Sequence, residues 1–169
     1  FVGSLHPRKN IPGLLRAHAA YRAAGGAADL LVVGAPMWGE LPADWQRAAG
    51  VKWLGRLGSA DLEEVMAGAN ALVYLPHFEG FGIPLVEAMA AGVPVVASDA
   101  TSLPEVLGGA EAGLVHPEDA EGAAQILLRL ETDRAFHADR RAAGIQRAQD
   151  FSWDRSAERF WESIERLLP

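Results

Sequence analysis

The stretch Glu79-Gly80-Phe81-Gly82-Ile83-Pro84-Leu85-Val86-Glu87-Ala88-Met89-Ala90-Ala91-Gly92-Val93-Pro94-Val95-Val96-Ala97-Ser98 decides the fold. Gly80 and Gly82 can adopt backbone angles closed to other residues. Pro84 suits the first turn of a helix and Gly92 its end, so a helix is predicted over 84–91. The apolar run Pro94-Val95-Val96-Ala97 that follows is a short strand. Before the glycines, Ala71-Leu72-Val73-Tyr74 is another. Strand, glycine turn, helix and strand make a βαβ unit. Its strands are apolar throughout, as expected for a parallel sheet covered on both faces.

The same alternation extends outward. Phe1-Val2-Gly3 reads as the end of a strand, and a helix is predicted over 11–24. Asn10 is its N-cap, Pro12 lies in its first turn, and Gly25-Gly26 stops it. Leu30-Leu31-Val32-Val33 is a strand ended by Gly34, followed by a short helix at 43–49 and a strand at 51–53. A helix at 60–67 takes Ser59 as N-cap. After the decisive stretch, Leu114-Val115 is a last short strand. Helices over 118–130, 133–149 and 152–168 complete the chain. The expected fold is therefore α/β: a doubly wound, mostly parallel, Rossmann-like sheet with helices on both faces and a helical C-terminus. The 169 residues suffice for one domain. A strand end with no strand beginning at Phe1 leads us to expect a piece of a longer protein.

Composition removes several function classes. Half the residues are hydrophobic and 22% are charged, so the chain is not globally disordered. A net charge of −7 argues against a broad basic nucleic-acid clamp, and no nucleic-acid partner is expected. The absence of cysteine excludes disulfides, thiolate metal sites and cysteine nucleophiles, and fits a reducing compartment. The longest apolar candidate, 82–97, is interrupted by Glu87 and two prolines, too short and too polar to span a bilayer. There is no Walker A loop, dinucleotide glycine fingerprint, Gly-x-Ser-x-Gly elbow or Asp-x-Asp pair. No histidine pairs with a carboxylate at ligand spacing, so neither metal nor other cofactor is expected.

In open α/β sheets ligands bind beyond the carboxyl ends of the strands. Two loops stand out there. In the loop at 76–84, the N–H groups of Gly80, Phe81 and Gly82 precede a helix N-terminus, which favours phosphate. The other account of these glycines is turn geometry alone. Glu79 sits at the mouth of this turn, and Glu87 falls in the first turn of the expected helix. Either they answer the helix dipole, or they accept hydrogen bonds from a diol. His77, two residues from Glu79, reads more simply as a loop residue than as a ligand contact. The loop at 3–10 carries Arg8 and Lys9, the latter one of only two lysines in the chain. Trp153, Phe160 and Trp161 recur at helical spacing near the end and read as core anchors or interface packing rather than a base-stacking platform.

The stretch 79–98 contains a Glu-x7-Glu signature and the strand after it. With Ser102-Leu103-Pro104-Glu105-Val106, Gly3-Ser4-Leu5-His6-Pro7-Arg8-Lys9-Asn10, Gly113-Leu114-Val115-His116-Pro117 and Phe151-Ser152-Trp153, it resembles the C-terminal, donor-binding domain of a retaining glycosyltransferase of the GT-B fold, family four (group 1). The resemblance covers nearly the whole chain. It implies transfer of a sugar from a nucleotide-sugar, such as GDP-mannose or another nucleoside-diphosphate hexose, with retention of configuration. The acceptor, a glycan or lipid-linked sugar, would be bound by an N-terminal domain absent from this chain, and the isolated fragment would be inactive. The setting implied is polysaccharide synthesis in the cytoplasm, with peripheral association of the full-length protein at the inner face of the membrane.

By the same resemblance Lys9 contacts the donor diphosphate. The turn Gly80, Phe81, Gly82 and Ile83 holds sugar and phosphate. Glu79 is the catalytic-site carboxylate on the sugar hydroxyls, and Glu87 takes the ribose hydroxyls. Leu57, in Leu54-Gly55-Arg56-Leu57, lies in the part that meets the base. Many members have arginine directly after the first glycine; here Ser4 stands there and Arg8 is expected to supply the charge. Many also have Pro-Ser a few residues before the first glutamate, where this chain reads Leu75-Pro76-His77-Phe78. A GT-B nucleotide-sugar epimerase and a non-enzymatic flavodoxin-like module remain the alternatives. The terminal helix from Ser152 is expected to reach toward the missing domain and to leave an apolar stripe exposed.

Overall fold

The computed structural model describes residues 1–167. In chain order the elements are α1 (Ile11–Ala23), β1 (Leu30–Val33), α2 (Ala43–Gln46), β2 (Val51–Gly55), α3 (Ser59–Ala67), β3 (Leu72–Tyr74) and α4 (Ile83–Ala90). They continue with β4 (Val95–Ser98), α5 (Leu103–Leu107), β5 (Gly113–Val115), α6 (Ala120–Thr132), α7 (Arg134–Ala148) and α8 (Trp153–Glu165). All strand pairs are parallel: β1 with β2, and β3–β4–β5. The opening segment bridges the free side of β1 through Val2 to Val33 and Leu5 to Pro36. The chain thus winds one way from its opening segment to β1 and β2, and the other way from β3 to β4 and β5. Right-handed crossovers running in opposite directions put helices on both faces of the sheet. α1 packs on α6, and α4 on α7. The doubly wound α/β expectation holds.

The place where winding reverses is knitted by side chains. The ring of Phe1 stacks on that of Tyr74, centroids 5.7 Å apart. Asn10 Nδ2 donates to the carbonyls of Leu75 at 3.0 Å and Pro117 at 2.8 Å. The His77 N–H donates to the Arg8 carbonyl at 2.9 Å. Beneath them lies the core. β4 is buried at every position because it runs between β3 and β5, and its Val95 and Val96 are essentially inaccessible. Each such side chain contributes roughly 1.5–3 kcal/mol by burial. A charge at Val96 would leave an unpaired ion there.

Local signals explain the ends of the elements. Asn10 caps α1 as expected, its Oδ1 accepting from the Gly13 N–H at 3.0 Å, with its own backbone left-handed at φ 53°. Gly34, at φ 135°, lets the opening segment approach: a Cβ there would lie 1.9 Å from the Gly3 carbonyl oxygen. Several expectations shift: α2 stops at Gln46, short of 49, β2 runs on to Gly55, and α6 lies two residues later than expected, at Ala120–Thr132. α3 begins at Ser59 itself, so Gly58 is the cap and Ser59 makes no capping bond. α4 begins at Ile83, one residue early, so Glu87 lies in the second turn and the first turn holds no acidic residue. α5 was not anticipated, being only five residues long. The final helix ends at Glu165, with Arg166 as its C-cap and a turn at 166–167, short of the expected end; Leu168 itself lies outside the described residues.

α8 presents the expected apolar stripe. Trp153, Phe160 and Trp161 are 85%, 67% and 60% exposed, and no residue of α8 is buried. They are surface residues in this structure, not core anchors. No helix is long and apolar enough to cross a membrane among the described residues.

Candidate functional site

The two loops singled out in the sequence meet where the winding reverses. The 3–10 loop tightens into a 3₁₀ turn, Pro7–Lys9, closed by the left-handed Asn10. That turn aims Lys9 inward rather than into solvent: Lys9 is 6% exposed. Its ammonium donates to the Tyr74 hydroxyl and to Glu79 Oε2. Tyr74 donates to the same oxygen at 2.6 Å, and Arg8 Nη1 reaches it at 3.2 Å while also donating to the Phe78 carbonyl. Three donors, two from the 3–10 loop and one from β3, thus converge on one carboxylate oxygen of the second loop. The other, Oε1, accepts from the Gly80 N–H at 3.2 Å.

This arrangement fixes the charge state of the cluster. Burial alone would raise the Glu79 carboxyl. The hydrogen bonds from Lys9 and Tyr74, with the charges of Lys9 and Arg8, outweigh it and hold the group at about 2. Glu79 is therefore an anion across the working pH range: it accepts hydrogen bonds and stabilises positive charge, and has no proton to give. Burial, and then the adjacent Glu79 anion, push the Tyr74 phenol up, so it remains a donor.

Beside the cluster the glycine turn opens onto α4. Gly82 is its N-cap with φ 96°. The N–H groups of Phe81, Gly82 and Ile83 donate to no acceptor among the described residues. Phe81 and Ile83 side chains are half exposed. A Cβ built on Gly80 would meet nothing within 4 Å, so neither crowding nor a left-handed backbone explains glycine there. Free N–H groups at the positive end of a helix, next to Lys9 and Arg8, suit a phosphate-bearing anion. The carboxylate between them suits hydroxyl groups.

The other expected residues fall around this centre. Glu87 is exposed on α4, makes no hydrogen bond or ion pair among the described residues, and lies one turn beyond the glycines. Leu57 is half-buried past the carboxyl end of β2, on the same edge of the sheet. No hydrogen bond joins 54–57 to the Lys9–Glu79 cluster. His77 holds Arg8 through its backbone, and its ring faces Glu118 at 3.4 Å. Tyr74, Thr101 and Ser102 were not singled out as site residues. A tyrosine ending a buried strand five residues before Glu79 was the available signal for the first. A cavity of about 190 Å³ lies at the opposite edge, lined by Leu30 and Leu72 at the amino ends of β1 and β3 and by Phe1 and Met66. Ligands of such sheets bind at the other end. The described residues contain no group of three or more His, Asp or Glu able to hold a metal ion.

Known proteins share this architecture. A family model described as glycosyl transferases group 1 matches residues 1–133. O-antigen chain mannosyltransferase B of Escherichia coli is 36% identical over 161 residues, 91% of this chain and 42% of its own length. The GDP-mannose-dependent monoacylated alpha-(1-6)-phosphatidylinositol monomannoside mannosyltransferase of Corynebacterium glutamicum is 32% identical over 95% of this chain and 45% of its own length. Among solved structures, sucrose-phosphate synthase of Thermosynechococcus elongatus superposes with a TM-score of 0.82 at 28% identity, over 98% of this chain and 44% of that one. The chain spans less than half the length of these relatives. On the family match, together with the Glu-x7-Glu turn and its place at the reversal of the sheet, this chain belongs to the group 1 glycosyltransferases.

Proposed function

We propose that the chain is the donor-binding half of a retaining hexosyltransferase that takes its sugar, a mannosyl unit first among candidates, from a nucleoside-diphosphate sugar such as GDP-mannose. The observation that carries this reading is the convergence of Lys9, Arg8 and Tyr74 on Glu79 beside the unpaired N–H groups of Phe81, Gly82 and Ile83. The names of the relatives favour mannose. The acceptor, a glycan or lipid-linked sugar, would sit against a second domain, and the amphipathic α8 would cross toward it. Synthesis would proceed on the cytoplasmic side, the whole protein resting peripherally on the membrane.

The chemistry follows from charge. As the bond to the leaving diphosphate lengthens, negative charge grows on phosphate and positive charge on the anomeric carbon. Lys9, Arg8 and the N-terminus of α4 oppose the first. Glu79, ionised and fixed, accepts from the sugar hydroxyls and faces the second. Glu87 would take the ribose hydroxyls one turn further along α4, and the Leu57 segment would border the base. These charges are built into the chain, so transfer should proceed without a divalent metal. In the protein that joins this chain to an acceptor-binding domain, proton NMR of the product from GDP-mannose should show the α configuration of the donor, with activity preserved in EDTA. A β product would contradict retention, and a loss in EDTA restored by Mg²⁺ would contradict the metal-free account.

A further inference from the structure

We infer that Thr101 and Ser102 are positioning residues whose hydroxyls set the backbone of Glu79 and thereby the placement of its carboxylate. The functional consequence rests on the donor-site reading above; the geometry stands apart from it. The Glu79 N–H donates to Thr101 Oγ1 at 3.1 Å, and the Thr101 hydroxyl donates back to the Glu79 carbonyl at 2.8 Å. The Ser102 hydroxyl donates to the same carbonyl at 3.0 Å. Both main-chain polar groups of Glu79 are therefore held by side chains of the loop between β4 and α5. A hydroxyl has one proton and two lone pairs, so Thr101 can make both of its bonds at once.

The contact is part of a longer seam. At the carboxyl end of β4 the buried Ser98 hydroxyl donates to the Pro76 carbonyl at 2.7 Å. Three hydroxyls from one strand end and its loop thus fix both ends of 76–79. Thr101 itself sits at φ 53°, a left-handed conformation that β-branched residues rarely adopt. Glycine or asparagine would meet that backbone demand more readily. What threonine adds is the paired contact with Glu79. The Glu79 side chain is then pinned at both ends, its backbone by Thr101 and Ser102 and its carboxylate by Lys9, Tyr74 and Arg8. Groups that must meet reacting atoms tolerate only small displacements, so such support decides how well the carboxylate performs.

The test compares the parent chain with the double variant Thr101→Val, Ser102→Ala, which keeps the shape of Thr101 and removes the three hydrogen bonds. Thr101→Ser serves as the conservative control, and Thr101→Val alone stands in if the double variant does not fold. Calorimetry with GDP-mannose and with GDP gives the first readout. The preference for GDP-mannose over GDP should fall about tenfold, as for a misplaced charge-assisted contact, with GDP affinity unchanged. Thr101→Ser should restore it. The second readout needs no ligand: carbon-13 NMR of the Glu79 carboxyl, whose titration should move up toward the usual value of 4.5 once its register against Lys9 and Tyr74 is loosened. Equal losses for both ligands with an unmoved carboxyl titration would mark a purely structural loop and overturn the inference. If the parent binds neither ligand, the donor-site reading falls. The carboxyl titration then decides alone: a rise supports the clamp and no change overturns it.

Discussion

At Gly82 the backbone is left-handed and a Cβ would lie 2.9 Å from Leu103 Cδ2, whereas at Gly80 neither condition holds. The two glycines of the turn therefore answer different demands. Gly82→Ala should destabilise the chain by about 1–3 kcal/mol, read by urea unfolding, because strain and contact both act in the native state. Gly80→Ala should leave unfolding unchanged and weaken donor binding, because the space its methyl would take is where the ligand approaches. A destabilised Gly80→Ala would show that the turn, rather than the ligand, requires that glycine. Glu79 has its own signature. Folding lowers its carboxyl from 4.5 to about 2, so the unfolded chain takes up the proton first as pH falls. The stabilisation is complete above pH 4.5 and is lost progressively from there toward pH 2. The stability of the parent should decline across that window more steeply than that of Glu79→Gln; parallel declines would contradict the ion cluster. Lys9 and Glu79 were each legible in the sequence as candidate site residues. Their pairing was not, because 70 residues separate them and only the reversal of the sheet brings the two loops together. Burial of Lys9 also moves the salt-sensitive role to Arg8, whose side chain is 39% exposed.

α1 owes its start and its place to one residue. Asn10 caps the helix with Oδ1 and, with Nδ2, holds the chain just after β3 at Leu75 and after β5 at Pro117. Asn10→Ala removes the cap and orphans two buried carbonyls, which should cost about 2–4 kcal/mol in chemical unfolding. Asn10→Asp keeps the cap and loses the two donations, so it should fall between parent and alanine; an aspartate as stable as asparagine would show that the Nδ2 contacts contribute nothing. The cap was readable because Asn before a proline-bearing first turn is a local signal. The two carbonyl contacts were not, being set by tertiary geometry. Likewise the start of α4 was read one residue late, at Pro84. The left-handed Gly82 already turns the chain into the helix at Ile83, with the Leu85 N–H returning to the Gly82 carbonyl at 2.9 Å. That single step moves Glu87 out of the first turn, where a helix-dipole role would have been strongest.

Across the whole molecule the doubly wound sheet was legible because β1, β3 and most of β4 are apolar runs and α1 carries its asparagine cap in the sequence. The pairing of the opening segment with β1 was legible only as an unfinished strand. α8 is the least buried of the long helices: its aromatic stripe is exposed and none of its residues is buried. Removing residues 153–169 should leave the midpoint of thermal unfolding nearly unchanged, and a marked fall would show that α8 stabilises this domain. Sedimentation of the intact chain should show self-association that Phe160→Glu with Trp161→Glu abolishes, since an unpartnered apolar stripe adheres to its like.

The central claim is that Lys9 and the glycine turn hold a diphosphate between nucleoside and sugar, and calorimetric titration of the chain with guanosine, GDP and GDP-mannose tests it most directly. The parent should bind GDP and GDP-mannose and bind guanosine far more weakly. Lys9→Gln, with its fold verified by circular dichroism, should lose about tenfold or more of the GDP affinity, roughly 1.4 kcal/mol, and none of the guanosine affinity. Equal losses for GDP and guanosine in that variant, or a parent chain that distinguishes none of the three, would contradict it.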